Sequence, residues 1–446
     1  MTRTASQLRD DARTIWQAGV AAVDSQHLVQ RQIAVDGHLL RIAGQSFPVT
    51  GELVVVGGGK AGAGMAAGLE SSLPDDWLQR TRGALNVPED CIDAPLSRIQ
   101  LHGARPAGVN EPTDAGVAGT RQMMEWASSL GPGDLCLCLL SGGGSALMPL
   151  PIDGVTLQDK QLLTRYLSGA GANIAQLNTV RKQLSQFKGG GLARACRAQW
   201  LVTLIISDVI GDPLDVIASG PTVPDTSTPA DALRILAQFD ARRSGASDNV
   251  WRRLEEAAQR GGHSTPTCES LEWVIGNNRV AVEAAAVEAE RLGYRVCAEP
   301  AETLEGDAEQ VGRRLAERAI QMRQGETEHD CLITGGEPTV RLAPLEVRGR
   351  GGRNQQLAAA ALEYWLQREV AVQDMALLSG GTDGEDGPTD AAGAWVGEAL
   401  APYAANLHDA LQRNDTYPFF ARCGGLLQTG PTHTNVCDVR VVLATS

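Results

Sequence analysis

The stretch LVVVGGGKAG, residues 53–62, decides the fold class of this chain. An apolar run leads into three glycines, and a helical pattern starts directly after them. Short apolar runs that end in glycine-rich or polar turns recur, for example at 135–144 and 201–208, with helical patterns between them. Continuous apolar strands separated by helices are typical of parallel sheets covered on both faces. The sequence therefore predicts an α/β protein.

Length and polar breaks predict two domains. A chain of 446 residues exceeds what one hydrophobic core usually serves. Stretches rich in Thr, Ser, Gly and Pro at 225–231 and 261–266 mark candidate linkers, and we place the domains at 1–245 and 246–446. The predicted strands are 53–56, 83–87, 135–140, 201–206, 272–275, 295–297, 331–334 and 375–378.

Composition narrows the classes of partner. The formal net charge of −14 repels nucleic acid and anionic lipid, so neither is an expected partner. No run of about 18 apolar residues occurs, so no membrane span is expected. Residues 1–30 read as one amphipathic helix that carries charges and is no signal peptide. Nine scattered cysteines without zinc spacing indicate buried, reduced thiols in a reducing, cytoplasmic compartment.

The glycine-rich turns share one position, the carboxyl end of a predicted strand. Ligands of open α/β sheets bind beyond these ends, and glycine there exposes backbone N–H donors to an anion. The chain has 50 glycines, and several of them lie in such turns. Several turns of this kind in one chain predict an anion-binding cleft. We assign nucleotide binding to the residues of three turns, namely Gly57, Gly58, Gly59, Gly142, Gly143, Gly144, Ser145, Gly335, Gly336 and Glu337.

Lys60 lies inside the first of these turns. The stretch 57–62 satisfies G-x-G-x-x-G, the dinucleotide-binding pattern. However, the acidic residue that would hold a ribose at the end of the next strand comes late, at Glu89 and Asp90. A lysine at the start of a helix adds its charge to the free N–H groups there. This combination favours a phosphate that is being transferred, although a solvated surface lysine is the simpler alternative.

Three further segments carry candidate chemistry. Asp208 follows an apolar strand, where a carboxylate orients a hydroxyl nucleophile, helps to hold Mg²⁺ or only closes a turn. Arg353 precedes a helix and follows three glycines in four residues, and its fork of donors suits phosphate or carboxylate unless the loop is merely basic. The loop 379–387 clusters acids among glycines, and either Mg²⁺–nucleotide contact or a solvated turn fits it. We take Asp383 and Asp386 as candidate metal ligands.

In this order, the motifs resemble the glycerate 2-kinase family, whose C-terminal half is known as the MOFRL domain. The resemblance spans nearly the whole chain and is carried by GGGKAG (57–62), LSGGGSAL (140–147), LNTVRKQLSQFKGGGLA (177–193), ISDVIGDPLDVIASGPTVPDTST (206–228), TGGEPTV (334–340), GRGGRNQQ (349–356), LSGGTDGEDGPTDAAGA (378–394) and GPTHTNV (430–436). No Walker A lysine motif or protein-kinase motif set is present.

The resemblance implies a Rossmann-like, mostly parallel domain joined to a second α/β (MOFRL) domain, with the active site in the cleft between them. It implies that ATP and Mg²⁺ are the cofactors and glycerate the acceptor. Lys60 and Arg353 then handle the transferred phosphate, and Asp208 lies by the substrate hydroxyl. An NAD(P)-dependent hydroxypyruvate reductase and a non-catalytic sensor of phosphorylated metabolites remain alternatives. A monomer or a homodimer is expected.

Overall fold

A computed structural model of the chain describes residues 3–92, 94–106, 109, 111–261, 265–368 and 372–445. The strands, in chain order, are β1 Ile33–Asp36, β2 Leu39–Ile42, β3 Gln45–Pro48, β4 Leu53–Gly58, β5 Thr81–Pro88, β6 Ile99–Arg105, β7 Leu135–Leu140, β8 Trp200–Ile206, β9 Glu269–Gly276, β10 Val296–Glu299, β11 Cys331–Gly336, β12 Met375–Gly381, β13 Gly393–Gly397, β14 Leu426–Leu427 and β15 Asp438–Ala444.

The α-helices are α1 Ala5–Ala22, α2 Ser25–Gln30, α3 Gly62–Ser72, α4 Asp75–Gln79, α5 Asp114–Ser129, α6 Gly144–Leu147, α7 Leu157–Gly169, α8 Ile174–Gln183, α9 Gly191–Ala195, α10 Pro229–Gln238, α11 Asn249–Arg260, α12 Asn278–Arg291, α13 Ala308–Arg323, α14 Arg353–Gln367, α15 Leu407–Gln412 and α16 Thr416–Cys423. Short 3₁₀ segments occur at Glu89–Cys91, Ile217–Ser219, Ala241–Ser244 and Glu398–Asn406. None of these helices is long and apolar enough to cross a membrane, as far as the described residues go.

The chain forms two compact units. One comprises Ser25–Ile275, and the other combines Met1–Asp24 with Gly276–Ser446. This division lies about 30 residues beyond the sequence boundary at 245, because β9 joins the sheet of the first unit. The predicted helix over residues 1–30 is wrong in one respect: it ends at Ala22 and restarts at Ser25, and its two parts belong to different units.

The unit Ser25–Ile275 is built on a six-stranded sheet in the order β6-β5-β4-β7-β8-β9. The pairs β5–β6, β4–β5, β4–β7 and β7–β8 are parallel, as the sequence predicts. The residues of β4 and β7 are all buried, which fits a sheet covered on both faces. A small antiparallel sheet of β1, β2 and β3 precedes it.

The second unit has a mixed sheet in the order β10-β11-β15-β12-β13-β14. Its strand β15 is antiparallel to both β11 and β12, so this second α/β sheet is mixed rather than parallel throughout. Because β11 and β12 both oppose β15, their carboxyl ends still lie at one edge. Gly336 and Gly381, at these ends, are both registered with Asp438, the first residue of β15. Helix α14 packs closely on α13, where Leu357 and Ala360 lie against Gly312.

Candidate active site

Three parallel strand ends form the first candidate site. Strands β4, β7 and β8 are neighbours, and they lead into Gly59-Lys60, Ser141-Gly142 and Ser207-Asp208 respectively. The first two turns are tied together, because the backbone N–H of Lys60 donates to the carbonyl of Gly142 at 2.9 Å. The sheet therefore brings the sequence-predicted turns to one edge.

The glycines of the first turn are required by packing. Gly57 and Gly59 have φ values of +132° and +146°, which favour glycine. A Cβ on Gly57 would lie 2.1 Å from the carbonyl oxygen of Leu139, and one on Gly59 would lie 2.1 Å from Ser141 Oγ. That same hydroxyl oxygen accepts the N–H of Ala61 at 3.0 Å. One donor at the start of α3 is thus already satisfied within the chain, and nucleotide binding by this turn stays a prediction.

Lys60 and Asp208 converge on the second turn. A Cβ on Gly142 would lie 2.1 Å from Asp208 Oδ2, so the carboxylate packs against the bare Cα of this glycine. A Cβ on Gly143 would lie 3.8 Å from Lys60 Cγ and 3.1 Å from Nη2 of Arg105, the last residue of β6. The structure therefore places a lysine, an arginine and a carboxylate around Gly142-Gly143. Arg105 escaped the sequence analysis because no strand was predicted at 99–105.

A pocket of about 480 Å³ opens beside this turn. Gly143, Gly144, Ser145 and Asp208 line it, so two of the predicted segments share one cavity. Ser145 Oγ is 2.8 Å from Ser219 Oγ, and Ser219 has a φ of +64°. A non-glycine residue in this conformation is strained, and such residues cluster at functional sites.

The second unit holds Arg353 at another strand edge. Its Nε and Nη2 donate to the two carboxylate oxygens of Asp438 at 2.8 and 2.9 Å, and its Nη1 donates to Glu337 at 2.9 Å. Burial lowers the pKa of Arg353, but the two carboxylates raise it by more, so the pKa lies above its ordinary value. Asp438 was not selected from the sequence, where it reads only as the polar start of an apolar run.

Asp386 caps a helix. Its carboxylate oxygens accept the backbone N–H groups of Asn354 and Gln355, both at 2.9 Å, at the start of α14. Burial raises the pKa of Asp386 to about 7, against these two hydrogen bonds. The cap therefore comes from a side chain that lies 32 residues after Asn354 in the sequence.

The predicted nucleotide glycines of the second unit also meet protein atoms. A Cβ on Gly335 would lie 1.6 Å from Asn278 Oδ1, and one on Gly336 would lie 1.8 Å from Glu305 Oε2. Burial raises the pKa of Glu337, the next residue. Packing accounts for both glycines, and their contact with a nucleotide stays a prediction.

A metal site fits this unit only in part. A pocket of about 580 Å³ is lined by Arg353, Asp383 and Asp386 among others. Both oxygens of Asp386 are engaged and the residue is buried, whereas Asp383 is half-exposed and accepts the N–H of Glu385 at 3.1 Å. Within the described residues, no group of three or more His, Cys, Asp or Glu side chains is arranged for a metal ion. Mg²⁺ that arrives with a nucleotide needs only one or two carboxylates, so Asp383 fits this role and Asp386 fits it poorly.

Known proteins match nearly the whole length of the chain. Residues 11–255 match the family described as Domain of unknown function (DUF4147), and residues 330–438 match the MOFRL family. The mouse protein named glycerate kinase is 36% identical, over 98% of this chain and 93% of its own. The chain belongs to the glycerate kinase family. The glycerate 2-kinase of Pyrococcus horikoshii is 32% identical, over 99% of this chain and 98% of its own.

The same family includes solved structures. One named glycerate kinase, from Thermotoga maritima, is 32% identical, with a TM-score of 0.83 over 99% of this chain and 100% of that one. Family membership confirms the resemblance drawn from the motifs and the α/β fold with a MOFRL-type second part. The domain limits of 1–245 and 246–446 and the individual site residues stay predictions.

Proposed function

We propose that this member of the glycerate kinase family transfers the γ-phosphoryl of ATP to the 2-hydroxyl of glycerate, giving 2-phosphoglycerate and ADP. The observation that carries the proposal, beyond the family itself, is the convergence of Lys60 and Asp208 on the turn Gly142-Gly143. Phosphoryl transfer depends mainly on positioning and on neutralising charge. A lysine and a carboxylate beside one glycine turn supply both.

Asp208 is proposed to orient the acceptor hydroxyl and to take its proton. As the oxygen on carbon 2 of glycerate forms its bond to phosphorus, the bond between the γ-phosphorus and the bridging oxygen breaks, and ADP leaves with that electron pair. The hydroxyl proton passes to the carboxylate. The position of Asp208 at the end of β8 and in the pocket wall supports this role.

Lys60 is proposed to hold the transferred group. Its side chain lies against Gly143, where a bare Cα leaves room for a ligand. Arg105 Nη2 borders the same space, so two cations lie close to the position proposed for the phosphoryl group. Preorganised charges of this kind act on the transition state without reorganising.

Arg353 is proposed to contact phosphate with those of its N–H donors that do not bond to Asp438 or Glu337. The bidentate pair with Asp438 fixes the guanidinium plane, and a fixed fork loses less entropy when it binds. Bound Mg²⁺, with Asp383 as its protein ligand, would neutralise charge on the nucleotide phosphates. Cytoplasmic location and a monomeric or dimeric state stay predictions.

The reductase alternative is weakened by one observation and helped by another. Ser141 Oγ already accepts the N–H of Ala61, a donor that the pyrophosphate of a dinucleotide would use. Against this, Glu89 follows β5 directly and is exposed, closer to a ribose position than the sequence suggested. The kinase remains the better-supported function because a lysine and a carboxylate at one glycine turn suit the charge neutralisation and hydroxyl activation of phosphoryl transfer.

The test is a pair of assays on one preparation. With Mg²⁺, ATP and glycerate, we expect coupled ADP release, and ³¹P NMR should show 2-phosphoglycerate. With hydroxypyruvate and NADH or NADPH, we expect no oxidation above background. Oxidation of reduced cofactor without ADP release would overturn the kinase, whereas 3-phosphoglycerate as the sole product would overturn only the position.

A further inference from the structure

The pocket of about 480 Å³ in the unit Ser25–Ile275 has a cationic wall that the sequence analysis did not identify. Lys160 comes from α7, Arg181 from α8 and Lys188 from the segment after it, and all three line the cavity together with Ser145 and Asp208. The cavity is large enough for a three-carbon acid and a phosphoryl group. Its charge therefore bears on what it binds.

None of the three cations has an acidic partner in the part of the chain that the structure describes. Lys160 is 7% exposed, and its Nζ has no hydrogen-bond partner among the described residues. Lys188 is 2% exposed and donates to the carbonyl of Ser145 at 2.8 Å. Over the same part of the chain, neither lysine nor Arg181 forms an ion pair, and Glu111 at the pocket is already paired with Arg165 at 2.8 Å.

The cluster is electrostatically costly without an anion. Burial and then the charge of Arg181 lower the pKa of Lys160 to about 7. Burial, Arg181 and Lys160, in that order, hold the pKa of Lys188 well below its ordinary value. An uncompensated buried charge destabilises a fold by several kcal/mol. A bound anion would offset this cost by supplying the missing negative charge.

Lys182 shows that the fold provides carboxylates where a lysine is structural. It follows Arg181 directly on α8 and is as buried as its neighbours, but its Nζ lies 3.1 Å from Asp215 and 3.6 Å from Asp225. Two carboxylates thus lie close to the buried Lys182, whereas the cations that face the pocket have no carboxylate partner among the described residues. The difference marks the pocket side as a binding wall.

We infer that Lys160, Arg181 and Lys188 bind the carboxylate of the hydroxy-acid acceptor, and that this contact selects the hydroxyl on the adjacent carbon for phosphorylation. The inference rests on the proposed function. In glycerate the 2-hydroxyl is one carbon from the carboxylate, and the 3-hydroxyl is two carbons away. A carboxylate anchored in the pocket that Asp208 also lines therefore favours the nearer hydroxyl. Nucleotide phosphates share this chemistry and are the competing source of the anion.

The test uses the full chain and Lys160→Met, which removes the charge and keeps the length. Loss of one charge-assisted hydrogen bond costs about 1.5–3 kcal/mol, so we expect the KM for glycerate to rise about 10- to 100-fold. The KM for ATP should change less than threefold, and the melting temperature should hold or rise. Lys182→Met is the matched control, with a lower melting temperature and a near-normal KM for glycerate.

Other outcomes overturn the inference in distinguishable ways. A rise in the KM for ATP alone would make the pocket a phosphate site, and unchanged values for both substrates would remove its role while leaving the kinase intact. If the wild type released no ADP, the proposed function would fail. Calorimetric binding of glycerate, lost in Lys160→Met, would then still support the carboxylate site, and its absence from the wild type would overturn both.

Discussion

Positive charge is treated in opposite ways in two regions of the molecule. In the cationic pocket, Lys160, Arg181 and Lys188 lie together without a carboxylate partner among the described residues. Around Arg353, the guanidinium is held by Asp438 on one side and Glu337 on the other. Both regions are largely buried. They differ in the source of the counter-charge, which the protein supplies around Arg353 and does not supply to the three pocket cations.

This difference indicates which ligand each region suits. An uncompensated cation cluster accepts a bare anion such as a carboxylate, because the ligand supplies the counter-charge that these cations lack. The Arg353 region already contains Glu337, Asp383, Asp386 and Asp438, so a bare anion would be repelled there. We expect it to suit a phosphate group whose charge is reduced by a metal ion.

The first prediction locates the chemistry in the region of the pocket. Asp208→Asn keeps the shape of the side chain but accepts no proton, and losing a general base costs about 10²- to 10⁴-fold in kcat. Glycerate binding should stay within a few-fold of wild type. Single-turnover chemistry measured by quench flow, with calorimetry for binding, separates the two. Fast chemistry with lost binding would make Asp208 a positioning residue.

The second prediction tests the paired region. Arg353→Met leaves Asp438, whose side chain is fully buried, without its partner. Breaking a buried ion pair costs about 3–5 kcal/mol, which urea unfolding should show as a large shift of the midpoint. Arg82→Met, at an exposed pair with Glu52, is the control and should cost at most about 1 kcal/mol. Equal small effects would mean that Asp438 does not depend on Arg353.

The third prediction concerns Lys60, which lies beside the pocket. Lys60→Ala should lower kcat by about 10²- to 10³-fold, the usual cost of one preorganised charge at the reacting group. Its fold should be intact by circular dichroism. A rate within a few-fold of wild type would assign the phosphate contact to Arg105 instead.

Local patterns were sufficient for most of the fold. Seven of the eight predicted strands lie within observed ones, and the eighth, 295–297, starts one residue before β10, because most are apolar runs between glycine or polar turns. The strand β15 was missed since Asp438 and Arg440 interrupt its apolar pattern. Both are buried only because Arg353 and Glu305 pair with them from 85 and 135 residues away. No local window contains that information.

The candidate site was predicted unevenly for the same reason. Lys60 and Asp208 follow apolar strands and could be found from position alone. Lys160 could have been found by its spacing, because it shares the buried face of α7 with Leu163 and Leu167 at i+3 and i+7. A lysine on an apolar face is a signal, but only the tertiary structure shows that no acid meets it.

The fourth prediction is a pH dependence of stability that reports on the cationic pocket. Lys160 has a pKa of about 7 in the folded chain and about 10.4 when unfolded. The unfolded chain therefore binds more protons between these values, and the free energy of unfolding should rise with pH, by at most about 1.4 kcal/mol per unit. Lys188 adds in the same direction and Arg181 stays charged, so Lys160→Met should remove only part of the slope. An unchanged slope would contradict the burial of an unpaired Lys160.

The fifth prediction gives the Arg353 region the opposite pH slope. Asp386 has a pKa of about 7 in the fold and about 3.9 when unfolded, so its contribution is present at pH 4 and lost as the pH rises to 7. Asp386→Asn resembles the protonated acid and keeps one cap acceptor for α14. We expect its free energy of unfolding to lie within about 1 kcal/mol of wild type at pH 4 and to gain on wild type toward pH 7. Urea unfolding at both pH values, with and without Mg²⁺, tests this. A variant that is less stable than wild type only at pH 7 and only with Mg²⁺ would make Asp386 a metal ligand. An ionised Asp386 that binds Mg²⁺ stabilises the fold through the metal, whereas an Asp386 that only caps the helix does not.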